Sequence, residues 1–307
     1  MSEQATAQNT KVSETTLARD IRVIRRFDTV KRFATNKFAV VGFAFLALMV
    51  LIAIFAPVVA THSPTDQSLL TRLQEPSSDH WFGTDQLGRD VFSRVVYGAR
   101  YSLFIGAGAA LVGLVAGLIL GMTSGFFGGW IDMVSMRIID ILLSFPGVLL
   151  AILIVSVLGP GVVNLIIAIS IGFTSPVARL VRSAVLSLKN QDFVLAAISI
   201  GAGNTRIMTR HLLPNITSLL IIYGTLYFAV ALLAAAGLSF LGLGAQSPTP
   251  EWGAMIGSGR EYLRDASNAT LFPGLAIFFT VLSLNFIGDA LRDALDPRMK
   301  SSGQPMR

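Results

Sequence analysis

Six apolar runs, each of roughly 20 residues, dominate this 307-residue sequence and limit what it can fold into. A run of about 20 apolar residues crosses the hydrocarbon core of a bilayer as one α-helix. The composition agrees with this, because 53% of the residues are hydrophobic and only 14% are charged. The sequence therefore predicts an all-α polytopic membrane protein, with spans at Phe38–Ala60, Ser102–Met122, Val134–Leu158, Val162–Leu180, Thr217–Phe240 and Leu271–Leu291.

The basic residues orient these spans, because lysine and arginine are enriched on the cytosolic side of membrane proteins. Most of them lie in residues 1–37, in the segment between the fourth and fifth spans, and after residue 291, which predicts that both termini are cytosolic. The basic part of the tail, around Arg22, Arg25 and Arg26, is expected to form a helix on the membrane surface. Residues 61–101 and 241–270 then form external loops, residues 102–291 form a core of five spans, and residues 292–307 form a cytosolic tail.

The net charge of +6 raises the question of a nucleic-acid partner. The basic residues lie beside the spans and form no stripe with interleaved aromatic residues, so membrane lipid is the expected partner and nucleic acid is not.

Catalytic and metal-binding patterns are missing from the sequence. It contains no cysteine, and none of its five lysines follows a glycine, which excludes a Walker phosphate loop. The three histidines, His62, His80 and His211, are scattered and lack metal-ligand spacing. We therefore expect a chain that is not an enzyme and that needs neither a cofactor nor a metal.

The spans also lack the ionisable residues of a proton-coupled carrier. Asp140, Arg179 and Asp289 fall near the cytosolic ends of their predicted helices, and no inverted repeat is visible. An ion-driven carrier is thus disfavoured, although a sodium site built from backbone carbonyls stays open, as does a structural membrane subunit.

The segment from Phe193 to Ile200 is too apolar for its predicted position in the cytosol, since Ser199 is its one polar residue. Asp192 is expected to cap a short helix here, and Gly201 to end it in a left-handed conformation. Such a helix suits docking into the groove of a partner protein. The alternative is a helix that packs against its own bundle.

The residues that follow predict a second short helix, which Asn204 caps and which ends near Pro214. Within the spans, Gly113, Gly117 and Gly121 recur every four residues, which favours close helix packing in lipid. Pro146 and Pro176 are expected to interrupt the third and fourth spans and to bend these helices around a translocation pathway, or to serve packing alone.

Two external loops carry dense patterns. Thr84 or Asp85 is expected to cap an interfacial helix that runs through Val91 to Tyr97 and leads into the second span. The later loop contains Pro248, Pro250 and Trp252, and the tryptophan fits an anchor at the membrane interface. These loops either cap the bundle or receive an external partner.

Four motifs resemble those of one known family: Leu195-Ala196-Ala197 with Gly201 and Leu213-Pro214; Gly83–Asp90; Phe240–Gln246 with Pro250–Gly253; and Gly288–Arg298. This combination, which covers roughly residues 40–300, is identified as the second permease subunit of the peptide/nickel class of ABC importers. The resemblance implies a type I importer permease fold with six transmembrane helices in the bacterial inner membrane. It also implies a second homologous permease, two cytosolic ATPases and an external solute-binding protein. The implied cargo is a di- or oligopeptide or a related amide such as glutathione, with nickel or a metal chelate as the alternative.

The resemblance assigns roles to residues on both sides of the membrane. It implies coupling to the ATPases by Phe193, Leu195, Ala196, Ala197, Gly201, Arg206, Leu213 and Pro214. It implies contact with the binding protein by Gly83, Asp85, Arg89, Asp90, Pro248, Pro250 and Trp252. Leu195 replaces the family's usual glutamate, and Ile198 an arginine, so the docking contact is expected to be more apolar than usual.

Overall fold

The computed structural model describes residues 35–295, and these residues form a bundle of α-helices without a β-strand. Predictions for residues 1–34, including the basic surface helix, and for residues 296–307 lie outside the described part. The helices are α1 (Lys37–Ile54), α2 (Ala56–Val59), α3 (Val91–Phe127), α4 (Gly129–Leu143), α5 (Gly147–Leu158), α6 (Val162–Leu188), α7 (Asp192–Ser199), α8 (Asn204–Ile207), α9 (Leu213–Phe240), α10 (Trp252–Gly259) and α11 (Asn268–Leu295).

Five helical segments are long and apolar enough to cross a membrane: α1, α3, α6, α8 through α9, and α11. The predicted third span is not a straight helix. It is the pair α4 and α5, which is bent by 93° at the break that contains Pro146. The 12 residues of α5 are about 18 Å long, which is short of a bilayer core of about 30 Å. The pair makes a sixth span only if both helices are counted together.

Pro176 does not break the fourth span. Helix α6 runs through it from Val162 to Leu188, so the expected interruption at this residue is wrong, while a bend of the continuous helix there stays a prediction.

Two predicted helix boundaries are also wrong. Helix α3 begins at Val91 and continues into the second span, and its cap is Asp90, whose carboxylate accepts from the Ser93 N–H at 2.7 Å, instead of Thr84 or Asp85. The helix from Asn204 does not end near Pro214, because a π-helical turn, Met208–Leu212, joins α8 to α9. The second half of the predicted cytosolic segment, from Asn204 on, is therefore continuous with a membrane span.

The small-residue face of α3 packs against α6. A Cβ atom on Gly117 would lie 2.6 Å from the Cβ of Val177, and one on Gly121 would lie 2.4 Å from the Ala178 carbonyl oxygen. Real Cβ atoms do not approach other atoms this closely, so the two backbones require glycine here. The predicted close packing is confirmed.

Ion pairs hold α4 beside this pair of helices. The Arg182 guanidinium donates two hydrogen bonds to Asp132, at 2.5 and 2.6 Å, and Arg179 pairs with Asp140. Both arginines lie on α6 and both carboxylates on α4, so the amphipathic α4 is tied to the predicted cytosolic half of the bundle.

Candidate functional site

Helix α7 presents one face to the bundle and the other to solvent. Val194 and Ala197 are buried, and Val194 packs in a cluster with residues of α3, α6 and α9. Leu195 and Ile198, on the opposite face, are 48% and 51% exposed, and Ile200 beyond the helix end is 85% exposed. The helix thus packs on its own bundle along one side and has an exposed apolar face on the other, and docking of that face to a partner stays a prediction.

The C-terminus of α7 is a Schellman motif. Gly201 has a φ of +79°, which is the left-handed conformation expected for it. Its N–H donates to the Ile198 carbonyl at 2.9 Å, and the Ala202 N–H donates to the Ala197 carbonyl at 3.0 Å. The N-terminus differs from expectation, because Gln191 is the capping position and Asp192 lies in the first turn without a side-chain cap.

The residues expected to couple with ATPases do not all face outward. Ala197 is 4% exposed, so its side chain belongs to the packing of the chain and is not available to a partner. Leu213 is half-buried. The expected coupling residues that are exposed are Phe193, Leu195, Ala196, Gly201, Arg206 and Pro214.

At the predicted external end, Asp85 connects the loop before α3 to two buried arginines. Its carboxylate accepts from the Arg89 Nε at 2.7 Å and lies 3.5 Å from the Arg94 Nε. The Arg94 NH1 donates to the carbonyls of Pro64 and Pro248, at 2.7 and 3.3 Å. These contacts join the two external loops, which are far apart in sequence.

Asp90 holds a second group of polar residues beside this one. While one carboxylate oxygen caps α3, the other lies 3.0 Å from the His80 Nδ1. The His62 and His80 rings lie 4.7 Å apart, so these two histidines are not scattered as expected.

Asp79 completes a cluster with these two histidines that has the composition of a metal site. The Nε2 atoms of His62 and His80 each lie 3.9 Å from the Asp79 carboxylate. The ligands of tetrahedral zinc stand about 3.4 Å apart, so this cluster is wider than a formed site.

Glu251 and Trp252 attach α10 to α3. The Glu251 carboxylate caps α10 by accepting from the Gly253 and Ala254 N–H groups at 3.0 and 2.8 Å, and the Ser102 hydroxyl donates to it at 3.2 Å. The Trp252 indole N–H donates to the Val95 carbonyl at 2.9 Å. Burial raises the pKa of Glu251, although the two backbone hydrogen bonds oppose that shift.

Two cavities lie at the end of α9. One, of about 680 Å³, is apolar and is lined by residues of α5, α6 and α9 such as Ala151, Phe173 and Leu233. The other, of about 430 Å³, is polar and is lined by residues of the two external loops and of α10. Phe240 and Leu241 line both cavities, so the two spaces share a wall.

Comparison with known proteins identifies the family. The model of the family described as the binding-protein-dependent transport system inner membrane component matches residues 113–301. This chain belongs to that family. A second model, the N-terminal TM domain of oligopeptide transport permease C, matches residues 26–76.

Curated relatives and a solved structure agree with this assignment. The dipeptide transport system permease protein DppC of Alkalihalophilus pseudofirmus is 49% identical over 274 residues, which cover 89% of this chain and 90% of the relative. The glutathione transport system permease protein GsiD of Escherichia coli is 46% identical over 271 residues, which cover 88% and 89%. The inward-facing MetNI methionine ABC transporter shares the fold, with a TM-score of 0.54 and 20% identity over 66% of this chain and 97% of that one.

The chain is therefore a multi-pass, non-catalytic permease of the bacterial inner membrane, with the type I importer fold. As a member of this family it works with an ATPase and a substrate-binding partner. These findings confirm the predicted family, fold class, membrane location and lack of enzymatic activity.

The structure changes how the permease's external motifs are understood. Gly83, Asp85, Arg89, Asp90, Pro250 and Trp252 are buried, and of the residues expected to contact a binding protein only Pro248 is exposed. Trp252 is fully buried and is not an interface anchor, because its ring packs on Gly98 of α3. Most of these motif residues fix the shape of the external surface from within.

Sequence reasoning did not single out Arg94, Ser102 or Glu251, although each joins distant parts of the external region. A signal existed for Glu251, since an acidic residue directly before an apolar helical stretch interacts favourably with the helix dipole. Arg94 and Ser102 gave no such signal, because their partners lie about 150 residues away.

Proposed function

We propose that this chain is the second of two homologous permease subunits in an importer of di- or oligopeptides, or of a related small solute such as glutathione. Two cytosolic ATPases and an external solute-binding protein complete the assembly. The names of the relatives support this cargo, since they are permeases of dipeptide and glutathione transport systems. The match to the N-terminal domain of an oligopeptide permease supports the same class.

The exposed apolar face of α7 carries the proposal of ATPase coupling. Leu195, Ile198 and Ile200 expose large apolar side chains on a segment that is predicted to be cytosolic. A partner that covers this face removes that apolar surface from water. A groove on the ATPase is the proposed cover.

Continuity of the helix explains how such docking moves the pore. Helices α8 and α9 form one unit, Asn204–Phe240, with the docking helix α7 just before it. Movement of the ATPases displaces α7, and the continuous helix carries that displacement into the membrane. Alternating access then follows from a tilt of the span as a rigid rod.

The coupling proposal is tested with a charge on the exposed face. Ile198→Asp should release the ATPase, because docking would bury an unpaired carboxylate. Asn190→Asp is the matched control, since it adds the same charge at an exposed residue before α7. The measurements are co-purification of the ATPase and uptake of radiolabelled dipeptides into reconstituted vesicles.

Each outcome bears on the proposal. Retention of both the ATPase and the uptake by Ile198→Asp would show that α7 is not the docking element. Uptake that continues after the ATPase is lost would favour an ion-coupled carrier. Failure of dipeptides and glutathione to enter, with import of chelated nickel instead, would reassign the cargo.

A further inference from the structure

The polar cavity at the end of α9 has a positively charged lining. Arg89, Arg94 and Arg260 line it together with neutral residues, and none of the described residues in its wall is acidic. Its volume of about 430 Å³ falls within the range of pockets that bind small molecules. The cavity therefore favours an anionic ligand of small size.

The acidic residue behind the cavity wall does not neutralise the arginines that line the cavity. Asp85 is one carboxylate shared between two guanidinium groups, at 2.7 Å from the Arg89 Nε and 3.5 Å from the Arg94 Nε. Arg89 is only 2% exposed, and its NH1 atom has no hydrogen-bond partner among the described residues. A buried, unpaired guanidinium N–H is unfavourable, and a carboxylate oxygen is the acceptor that it binds best.

Two buried acids of the same region, Asp90 and Glu251, are already engaged. Asp90 caps α3 and contacts His80, and Glu251 accepts from two backbone N–H groups and from Ser102. Burial also raises the pKa of Glu251, which favours its neutral form. An external anion is thus the remaining partner for the excess positive charge.

The apolar residues beside the arginines indicate that the ligand also has an apolar part. Phe240 and Leu241 separate the basic cavity from the apolar cavity of about 680 Å³ and line both. A ligand with a carboxylate at one end and an apolar group next to it can place the carboxylate at the arginines and the apolar group against Phe240 and Leu241. A short peptide has this form, with its C-terminal carboxylate beside its last side chain.

We propose that Arg89, Arg94 and Arg260 form a site for the C-terminal carboxylate of the peptide cargo at the predicted external end of the permease; this rests on the proposed function. Arg89 belongs to the wall of the cavity, and its Nη1 is a buried donor without a partner among the described residues. Arg94 is held in place by the carbonyls of Pro64 and Pro248. Arg260 stands at the exposed rim, 5.4 Å from the centre of the Phe240 ring, and attracts the anion.

The test compares two probes that differ only in the carboxylate. The purified importer complex, without its binding protein, is photolabelled with the dipeptide alanyl-photoleucine and with its C-terminal amide. Labelled peptides from the walls of the two cavities are then quantified by mass spectrometry. The free acid should label them about tenfold more than the amide, the ratio expected for one charge-assisted hydrogen bond.

Three variants test whether the arginines bind the carboxylate, as distinct from a role in the stability of the fold. Arg260→Gln removes a rim charge without touching the Asp85 pairs, and it should reduce labelling by the acid towards the level of the amide. Arg264→Gln is the matched control, because Arg264 is exposed on the same loop and does not line the cavity. Arg89→Lys keeps the charge but loses the fork of donors, so it should weaken labelling by the acid several-fold.

Equal labelling by the acid and the amide would overturn the proposal, as would an Arg260→Gln variant that labels like the wild type. If that variant instead loses affinity for the loaded binding protein, the arginines serve an acidic side chain of that partner, and the cargo site is refuted. Uptake by the wild type tests the proposed function separately. Preference for the acid without any peptide uptake would refute the peptide cargo while keeping the carboxylate site.

Discussion

Replacing Gly121 with alanine tests the close contact between α3 and α6. The added Cβ atom would lie 2.4 Å from the Ala178 carbonyl oxygen and 2.8 Å from the Val181 Cβ. Ordinary van der Waals contact begins at 3.4 Å, so the two helices must separate locally by 1.0 Å, the difference between 3.4 and 2.4 Å. The neighbouring contact at Gly117 would loosen with it.

The expected loss of stability in Gly121→Ala can be estimated from the change in packing. A gap of about 0.5–1 Å forfeits roughly a quarter to a half of the attraction between facing atoms, and overpacking costs about 1–3 kcal/mol. Alanine recovers up to about 1 kcal/mol because it is the better helix former. We expect Gly121→Ala to lower the free energy of unfolding by about 1–2 kcal/mol, which shifts the ratio of folded to unfolded protein roughly 5- to 30-fold.

The assay is chemical denaturation of the purified permease in detergent, followed by its tryptophan fluorescence. Gly172→Ala is the control, since this glycine lies on α6 and a Cβ atom there meets nothing within 4 Å. The control should be as stable as the wild type or slightly more stable. If Gly121→Ala unfolds at the same denaturant concentration as Gly172→Ala, the α3–α6 contact does not determine the packing, and the reasoning fails.

Four other outcomes are expected. Trp252→Ala should destabilise the permease by about 3–5 kcal/mol, seen as a lower melting temperature and yield, because the buried ring leaves a cavity; a stable variant with normal yield would refute this. Gly201→Val should reduce ATPase-coupled uptake but not membrane insertion, since a left-handed valine costs at least about 1 kcal/mol in an otherwise open position; unchanged uptake would count against a role for this turn. Leu195→Glu should keep the ATPase bound, because the family's usual residue at this position is a glutamate and the docking groove is expected to accept a carboxylate there; loss of the ATPase would mean that docking requires an apolar residue. A cysteine at Ser199 should react with an impermeant reagent only from the cytosolic side, and labelling from outside would reverse the predicted topology.

The sequence predicted the spans well because apolar length is a local property. Five of the six predicted spans correspond to helices that are long and apolar enough to cross a membrane. The third predicted span, Val134–Leu158, is instead a pair of helices bent at Pro146, since the length of an apolar run does not show where a helix turns through 93°. The prediction at Pro214 was wrong in the opposite way, because a helix was expected to end there and instead continues. The π-helical turn that precedes α9 changes the backbone at the position where the proline ring would otherwise clash with the carbonyl one turn earlier.

The candidate sites were harder to predict, because burial depends on contacts between distant parts of the chain. The sequence placed α7 in an exposed position but could not show that Ala197 faces inward and Ile198 outward. The external motifs suggested a surface for a partner. Their charged residues instead pair with each other or with backbone groups, as Asp85 does with Arg89 and Arg94 does with Pro248.

One helix connects the two ends of the proposed mechanism. The unit Asn204–Phe240 has 37 residues and is about 55 Å long, and it runs from the docking segment to the wall shared by the two cavities. If it tilts by about 5° around its middle, each end moves about 2 Å, and the two ends move in opposite directions. If α7 docks as proposed, a pull on it would shift Phe240 and Leu241 relative to the arginines of the basic cavity. Under the two proposals, the tilt that opens one side of the permease would also change the cargo site at the other, so that cargo binding and ATPase movement would be coupled through one continuous helix.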